Sequence, residues 1–330
     1  MNVEIKFLKN HTILQSLIVI NYLIYLLNIN KLFYIINIIF ILLFFFILLI
    51  KNFCGKLLFT KIIIIIYAVI SLGSPLTEWD GRSIWLFHAK RVFYENIYSQ
   101  LDNYFPESHN DYPLLAATLS SSLAFLINYW NEIFPKFSNI ILMCSPILIL
   151  SSILNNKVKE IIFIFTILFV LHVRLINGEM DAIFSLYFVL NCMCIFYLFR
   201  NKKQNNNSSL LLYYTFINLI IFSLIRPEAF IVIIIIFFSY LLIEIIFFKN
   251  ILQNIKNTFI LCFSLIPILH WKYLIYKANI SPVTENLFNP QQFLLKILDF
   301  KLYLKIFQLL FFNSHSILSI IFITFIFISY

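Results

Sequence analysis

Long apolar runs separated by short polar stretches make up nearly the whole chain. The runs fall at 12–30, 32–50, 57–74, 114–131, 138–154, 161–177, 180–199, 210–225, 229–248, 258–276 and 305–329. In lipid the backbone must satisfy its own hydrogen bonds, so runs of this length are expected to be helices. The pattern therefore predicts an all-α, polytopic transmembrane helical bundle of about 10–11 membrane segments.

Composition narrows the class of protein further. Hydrophobic residues make up 62% of the chain and charged residues only 12%. A soluble domain needs a mostly polar surface, so this balance indicates an integral membrane protein whose partners include membrane lipids. The net charge of +9 comes from basic residues near the ends of the runs, where anionic head groups account for them. We expect no nucleic-acid partner.

The basic residues also predict which side each loop faces. Placing the short Lys- and Arg-containing loops in the cytoplasm puts the polar stretches 75–113 and 277–304 outside. Three apolar runs then lie between 113 and 177, and three full crossings would leave Asp181 inside. Either 114–131 dips into the outer leaflet without crossing, or Asp181 is cytoplasmic. The basic loop that starts at Arg200 favours the first solution.

Three regions are expected along the chain. Residues 1–56 would form a two-span anchor, and 57–276 a catalytic module with the external loop 75–113. Residues 277–330 would supply a second external loop and a last span. That span ends at Tyr330 without a polar tail, the ending expected of a truncated chain.

The first large loop carries the pair Glu78 and Asp80 directly after an apolar run. Two carboxylates at a lipid–water boundary suit proton abstraction from a hydroxyl, or a divalent cation. The sequence requires no cofactor, and the identity of any metal is unknown. Alternatively, Asp80 caps the helix that follows.

That helix is predicted over 82–98, with apolar and polar residues at helical spacing. His88, Arg91 and Glu95 share one of its faces, which suits a helix lying in the interface plane among lipid phosphates. Arg82, His88 and Lys90 are therefore candidate substrate-binding residues.

Further polar groups stand where other loops meet apolar runs. His109, Asp111 and Tyr112 precede Pro113, which ends the first loop. All three are candidate substrate-binding residues, and Asp111 is either a turn residue or faces the same cavity as Glu78 and Asp80.

Acids and an arginine also interrupt two later runs. Glu179 and Asp181 either form a plain turn or face a wet cavity, with Arg174 as a plausible partner. Arg226 suits a phosphate, or it forms an anchor with Glu228. Under the topology above, these groups gather with Asp80 on one side of the membrane.

These residues together resemble a known family. The Glu-Trp-Asp-Gly-Arg loop at 78–82, the Asp-Tyr-Pro-Leu segment at 111–114, the Gly-Glu-Met-Asp-Ala segment at 178–182 and the Ile-Arg-Pro-Glu-Ala segment at 225–229 resemble GT-C fold glycosyltransferases. The nearest relatives would be the dolichyl-phosphate-mannose mannosyltransferases and aminoarabinose-transferase-like membrane proteins. Two extra spans at the start, and the lack of a large soluble C-terminal domain, depart from that pattern.

The resemblance implies an activity and a place for it. A polyprenyl-phosphate sugar would be the donor, and a lipid, glycan or protein hydroxyl the acceptor, with inversion at the extracytoplasmic face. The membrane would be a bacterial inner (plasma) membrane. The matching base is Asp80, with Glu78 beside it. Asp111 and Asp181 match acids that line the cavity, and Arg226 stands where the leaving phosphate could be held.

Two other functions fit the same residues. Acids and an arginine at membrane depth also mark transport paths, so a transporter or flippase of lipid-linked sugars is an alternative. The absence of inverted-repeat symmetry counts against it. A non-catalytic membrane assembly partner is a third possibility.

Overall fold

The structure is a computed structural model that describes residues 5–51, 57–95, 101–102, 108–154, 157–170, 176–202, 208–247 and 251–280. Every regular element in these ranges is helical, which confirms the all-α prediction for this part of the chain. The last predicted span, 305–329, and nearly all of the loop 277–304 lie outside the described residues.

The α-helices follow the predicted apolar runs closely. They are α1 (Ile5–Leu26), α2 (Lys31–Ile50), α3 (Leu58–Gly73), α4 (Leu86–Tyr94), α5 (Leu115–Ile127), α6 (Ser138–Ile153), α7 (Lys157–Val170), α8 (Asp181–Lys202), α9 (Ser208–Ser223), α10 (Ala229–Phe247), α11 (Ile251–Cys262) and α12 (Ile266–Lys277). A π-helical turn, Gly81–Trp85, leads into α4, and the 3₁₀ turn Phe263–Leu265 joins α11 to α12.

Four helices in the described part are long and apolar enough to cross a membrane. They are Lys31–Ile50, Pro135–Ile153, Asp181–Leu198 and Asn257–Lys277. Leu58–Gly73, Leu115–Ile127, Ser209–Ser223 and Ala229–Leu242 are apolar but shorter. The chain is thus a helical membrane protein, while the larger number of segments expected from the sequence stays a prediction.

Side-chain contacts define two ends of the bundle. At the far end, Thr60 in the first turn of α3 bonds to Ser151 at the end of α6 (2.9 Å) and to Glu160 at the start of α7 (2.8 Å). At the opposite end, the Nζ atom of Lys136 donates to the carbonyl of Ser74, just after α3 (2.8 Å). We call this second end, which carries the segments 74–85 and 108–114, the loop end.

Helix α5 enters and leaves the bundle at the loop end. Just before it, the carbonyl of Asp111 accepts a hydrogen bond from Trp271 (2.9 Å). Just after it, Lys136 reaches Ser74, and Asn139 lies 3.5 Å from the carbonyl of Glu179. The contacts place both flanks of α5 at the loop end, while the expectation that 114–131 does not cross the membrane stays a prediction. The contacts also place the 177–181 turn at the same end as the first loop.

Helix α5 is buried on every side, chiefly by α1, α2 and α4, and α6 also contacts it. Its serines are satisfied locally and by neighbours, since Ser121 donates to the carbonyl of Ala89 (2.7 Å) and Ser122 to Asn21 (2.9 Å). Small hydroxyl residues allow close helix packing and bond across it without a charged group. The small size of these residues and their satisfied hydroxyls explain why a 13-residue helix can lie inside the bundle.

Helix α1 contributes polar side chains to the interior. It packs against α9 and α6 as well as α2 and α5. His11 contacts Ser145 (3.0 Å), Gln15 accepts from Tyr187 (2.9 Å), and Asn21 bonds to α5. The expected division at residue 56 stays a prediction, but α1 contacts helices well beyond it.

The predicted amphipathic helix is shorter than expected. It ends at Tyr94, and 96–100 lie outside the described residues. The shared face of Arg91 and Glu95 is confirmed by an ion pair (2.9 Å), and Arg91 is also paired with Asp102 (2.9 Å). Arg91 is buried, so carboxylates of the chain hold it and not lipid phosphates.

Candidate functional site

The acid loop, Glu78 to Asp80, lies exposed at the loop end. Asp80 has helical backbone angles (φ −59°, ψ −41°) and its side chain makes no capping bond. A capping residue would be extended, so the capping alternative is not what the structure shows. Asp80 has no hydrogen-bond or ion-pair partner among the described residues, whereas Glu78 accepts a bond from the Nδ2 atom of Asn177 (3.2 Å).

Two glycines join this loop to the turn before α8. A Cβ on Gly81 would lie 2.4 Å from the carbonyl oxygen of Asn177, so only glycine allows the approach. Gly178 has a φ of +85°, a conformation that glycine adopts without strain. The side chain of Leu76 fills the space between them. The acid loop and the 177–181 turn are therefore one packed unit, although 99 residues separate Glu78 from Asn177.

Arg226 holds a second cluster together at the same end. We define the Arg226 cluster as Arg226, Asp181, Glu228 and Tyr112. The guanidinium pairs with Asp181, and its Nε atom lies 3.3 Å from Glu228. Its Nη2 atom donates to the hydroxyl of Tyr112 (3.2 Å), and the guanidinium carbon lies 5.6 Å from the ring centroid.

The cluster is closed, in the sense that its charged side chains pair with one another. Burial alone would lower the pKa of Arg226, but the charges of Glu228, Tyr112 and Asp181 outweigh it, so the pKa lies above its ordinary value. Burial, and then the charge of Glu228, raise the pKa of Tyr112. One cation thus faces two carboxylates. The anchor between Arg226 and Glu228 that the sequence suggested is present, and Asp181 extends it. Arg174 lies outside the described residues.

The segment before α5 links this cluster to the rest of the loop end. The Tyr112 ring lies 5.5 Å from that of Trp85 and 4.6 Å from that of His109. Asp111 is buried beside it, with its carbonyl bonded to Trp271 of α12. Eight of the predicted residues are therefore brought together at one end of the bundle: Glu78, Asp80, His109, Asp111, Tyr112, Asp181, Arg226 and Glu228.

The other predicted residues have different surroundings. His88 is buried, and its Nε2 atom donates to the carbonyl of Ser108 (2.9 Å). Burial lowers the pKa of His88 to about 4, so the ring is neutral and holds the first loop in place. Arg82 is exposed and lies 3.7 Å from Glu132. Lys90 is exposed, and Glu179 is half-buried.

A metal finds little support in the described ranges. They contain no group of three or more His, Cys, Asp or Glu residues that could hold an ion. Glu78 and Asp80 alone would leave most ligand positions to water or substrate. The possible divalent metal therefore stays a prediction.

Sequence reasoning missed three residues at this end, Asn177, Trp271 and Lys272. The ammonium of Lys272 lies 4.3 Å from the ring centroid of Phe230, in the first turn of α10. None of the described carboxylates pairs with it. The available signal was a lysine inside an apolar run, since a charge at such a position is costly unless it has a use.

The loop end thus combines three kinds of charge. Among the described residues, Asp80 is a carboxylate without a partner and Lys272 an ammonium without a counter-charge. The closed Arg226 cluster is connected to both through the 177–181 turn and Trp271. Such an arrangement provides a proton acceptor and a separate cation for an anionic group. Comparisons with protein-family models, with curated proteins and with solved structures find no match to this chain.

Proposed function

We propose that the protein is a membrane glycosyltransferase of the GT-C type that uses a polyprenyl-phosphate sugar as donor. The observation that carries the proposal is Asp80, an exposed carboxylate without a described partner on a loop packed against the 177–181 turn. The acceptor is a hydroxyl of a lipid, glycan or protein. The reaction takes place at the extracytoplasmic face of a bacterial inner membrane.

The proposed chemistry is a single displacement. Asp80 takes the proton of the acceptor hydroxyl as its oxygen attacks the anomeric carbon of the sugar. The bond between that carbon and the phosphate oxygen breaks, and its electron pair leaves with polyprenyl phosphate. Attack from the side opposite the phosphate inverts the anomeric configuration. Glu78, which accepts a hydrogen bond from Asn177, fixes the loop that carries Asp80.

The contacts alter the role proposed for Arg226. Because Asp181 and Glu228 already neutralise it, a phosphate would have to compete with two carboxylates for its donors. Lys272 faces no such competition and lies on the exposed side of α12. We therefore assign the departing phosphate to Lys272, and assign Arg226 to holding Tyr112 and Asp181 in place.

The test measures transfer of labelled sugar in vesicles that contain the full chain and a panel of polyprenyl-phosphate hexoses and pentoses. Removing a general base costs about 10²–10⁴-fold in rate, so Asp80→Asn should fall by that factor while expression and folding persist. Glu132→Gln, an exposed acid at the same end, is the matched control. Transfer by Asp80→Asn at near-normal rate contradicts the proposal.

One observation favours the transporter alternative. Three polar side chains of α1, His11, Gln15 and Asn21, are buried inside the bundle, where a transport path would need polar groups. Each of them has a bonding partner on a neighbouring helix, which also fits helix packing alone. Movement of lipid-linked sugar between leaflets, with no transfer to any acceptor, would favour this reading over the glycosyltransferase.

A further inference from the structure

A groove about 360 Å³ in volume runs along the outside of the bundle between α1 and α9. A helical stripe of α1 lines one wall, with Lys9, Ile13, Leu17 and Ile20, while Leu210 and Tyr213 line the other. The volume falls in the range of small-molecule sites. No part of the proposed reaction uses this groove.

The groove is apolar although two hydroxyl residues line it. The Oγ1 atom of Thr12 donates to the carbonyl of Leu8 (2.8 Å), and the Oγ atom of Ser16 donates to the carbonyl of Thr12 (2.8 Å). Both hydroxyls are therefore satisfied within α1 and present their carbon atoms to the groove. A hydrocarbon occupant would therefore leave neither of these two hydroxyls unpaired.

The polar groups of the groove stand together at one end. Lys9 and Tyr213 are exposed, and the described residues give Lys9 no counter-charge. Helix α9 ends near Arg226 at the loop end, so Leu210 and Tyr213, in its first turns, mark the far end. Lysine and tyrosine at one level, followed by an apolar wall, are typical of a head-group boundary.

The length of the groove matches one leaflet. At 1.5 Å per residue, the 11 steps from Lys9 to Ile20 span about 16 Å. Half of a bilayer core of roughly 30 Å is about 15 Å. A groove with a cation at the head-group level and an apolar wall one leaflet deep fits an acyl chain and its anionic head group.

We propose that this groove binds one acyl chain of an anionic phospholipid, with the lipid phosphate at Lys9. The occupant is a lipid of the leaflet on the far side, because Lys9 lies at the opposite end of the bundle from Asp80. The polyprenyl-phosphate donor is excluded as occupant, since its phosphate must reach the loop end. The site therefore does not depend on the proposed function.

The test counts lipids retained by the purified full chain after extraction from nanodiscs, using native mass spectrometry. The nanodiscs contain equal phosphatidylglycerol and phosphatidylcholine. Wild type should retain one phosphatidylglycerol in preference to phosphatidylcholine. Because one basic residue near the head groups contributes about 1 kcal/mol, Lys9→Gln should reduce that preference roughly fivefold. Lys157→Gln removes an exposed lysine at the same end, away from the groove, and should leave the preference unchanged.

A second pair of variants tests the acyl chain. Ile13→Trp fills the groove and should abolish retention of either lipid, whereas Ile65→Trp, on an exposed face of α3, should not. Equal losses in Lys9→Gln and Lys157→Gln would show diffuse attraction and overturn the site. If Ile13→Trp retained as much lipid as Ile65→Trp, the proposed binding of the acyl chain in the groove would be wrong.

Discussion

The acid loop and the Arg226 cluster lie at the same end of the bundle, but among the described residues the charged side chains are paired in the cluster and Asp80 is not. In the Arg226 cluster, a half-buried guanidinium holds two carboxylates and a phenol. In the acid loop, Asp80 is exposed without a described partner, and backbone packing through Gly81 fixes its position. A closed cluster stabilises a junction between helices, whereas an open carboxylate is free to exchange a proton. This difference, and not the number of acids, separates the candidate base from its neighbours.

The largest expected effect concerns His88, which bonds to Ser108 in the segment before α5. His88 is neutral in the fold because burial lowers its pKa to about 4. The unfolded chain binds a proton below its ordinary value of 6.5, so stability should fall as pH drops from 6.5 towards 4 and then level off. A shift of this size corresponds to roughly 3 kcal/mol.

Thermal unfolding in detergent between pH 7 and 4 measures this loss for wild type and His88→Gln. The variant removes the titrating ring, although the carboxylates that titrate in the same range remain in both proteins. The difference between the two pH profiles should carry the His88 contribution. Identical slopes would mean that the ring is protonated or exposed.

The second effect breaks the packing that positions Asp80. In Gly81→Ala, the new Cβ atom meets the backbone carbonyl of Asn177, which cannot move aside as a side chain can. Overpacking of this kind costs about 2 kcal/mol. Gly73→Ala is the matched control, because nothing lies within 4 Å of its Cβ and alanine favours the helix. Unfolding temperatures should fall for Gly81→Ala alone.

The third effect opens the closed cluster. Arg226→Gln leaves Asp181 and Glu228 facing each other without their cation. Both acids are nearly half exposed, so solvent screening limits the loss to about 1 kcal/mol. In a double-mutant cycle, Asp181→Asn should partly relieve the cost of Arg226→Gln. Strictly additive losses would show that the pair does not interact.

The smallest effect sharpens the contrast. Asp80→Asn removes a charge that pairs with nothing described, so the free energy of unfolding should change by less than about 0.5 kcal/mol. The same substitution is expected to have the largest effect on sugar transfer. A stability loss equal to that of Arg226→Gln would place Asp80 in a structural role.

The sequence predicted the helices well, because long apolar runs report directly on them. It also predicted that Asp181 and Arg226 lie at the end that holds the first loop. Their ion pair was not foreseen, since Arg174 is nearer to Asp181 in sequence. Asp181 and Arg226 are 45 residues apart, and whether they meet depends on which helices are neighbours. The hydrophobic periodicity of the sequence does not report this.

The interior position of α1 was missed for a similar reason. Its sequence reads as a moderately apolar run, and His11, Gln15 and Asn21 gave no sign of their partners on other helices. Lys272 is a single cation within an apolar run, and the sequence does not show that it meets the first turn of α10. The surroundings of α1 and of Lys272 both depend on contacts between helices, which are seen only in the folded structure.

The enclosed position of α5 has a consequence for how the chain is assembled. A 13-residue helix rich in serine and threonine is too short and too polar to remain stable alone in hydrocarbon. Its main partners α1, α2 and α4 precede it in the chain and α6 follows it, so most of the cleft that receives α5 is synthesised before it. Substitutions that loosen the packing of α1 against α2 should therefore leave α5 unpacked during synthesis. The newly synthesised protein would then be a substrate for quality-control proteases.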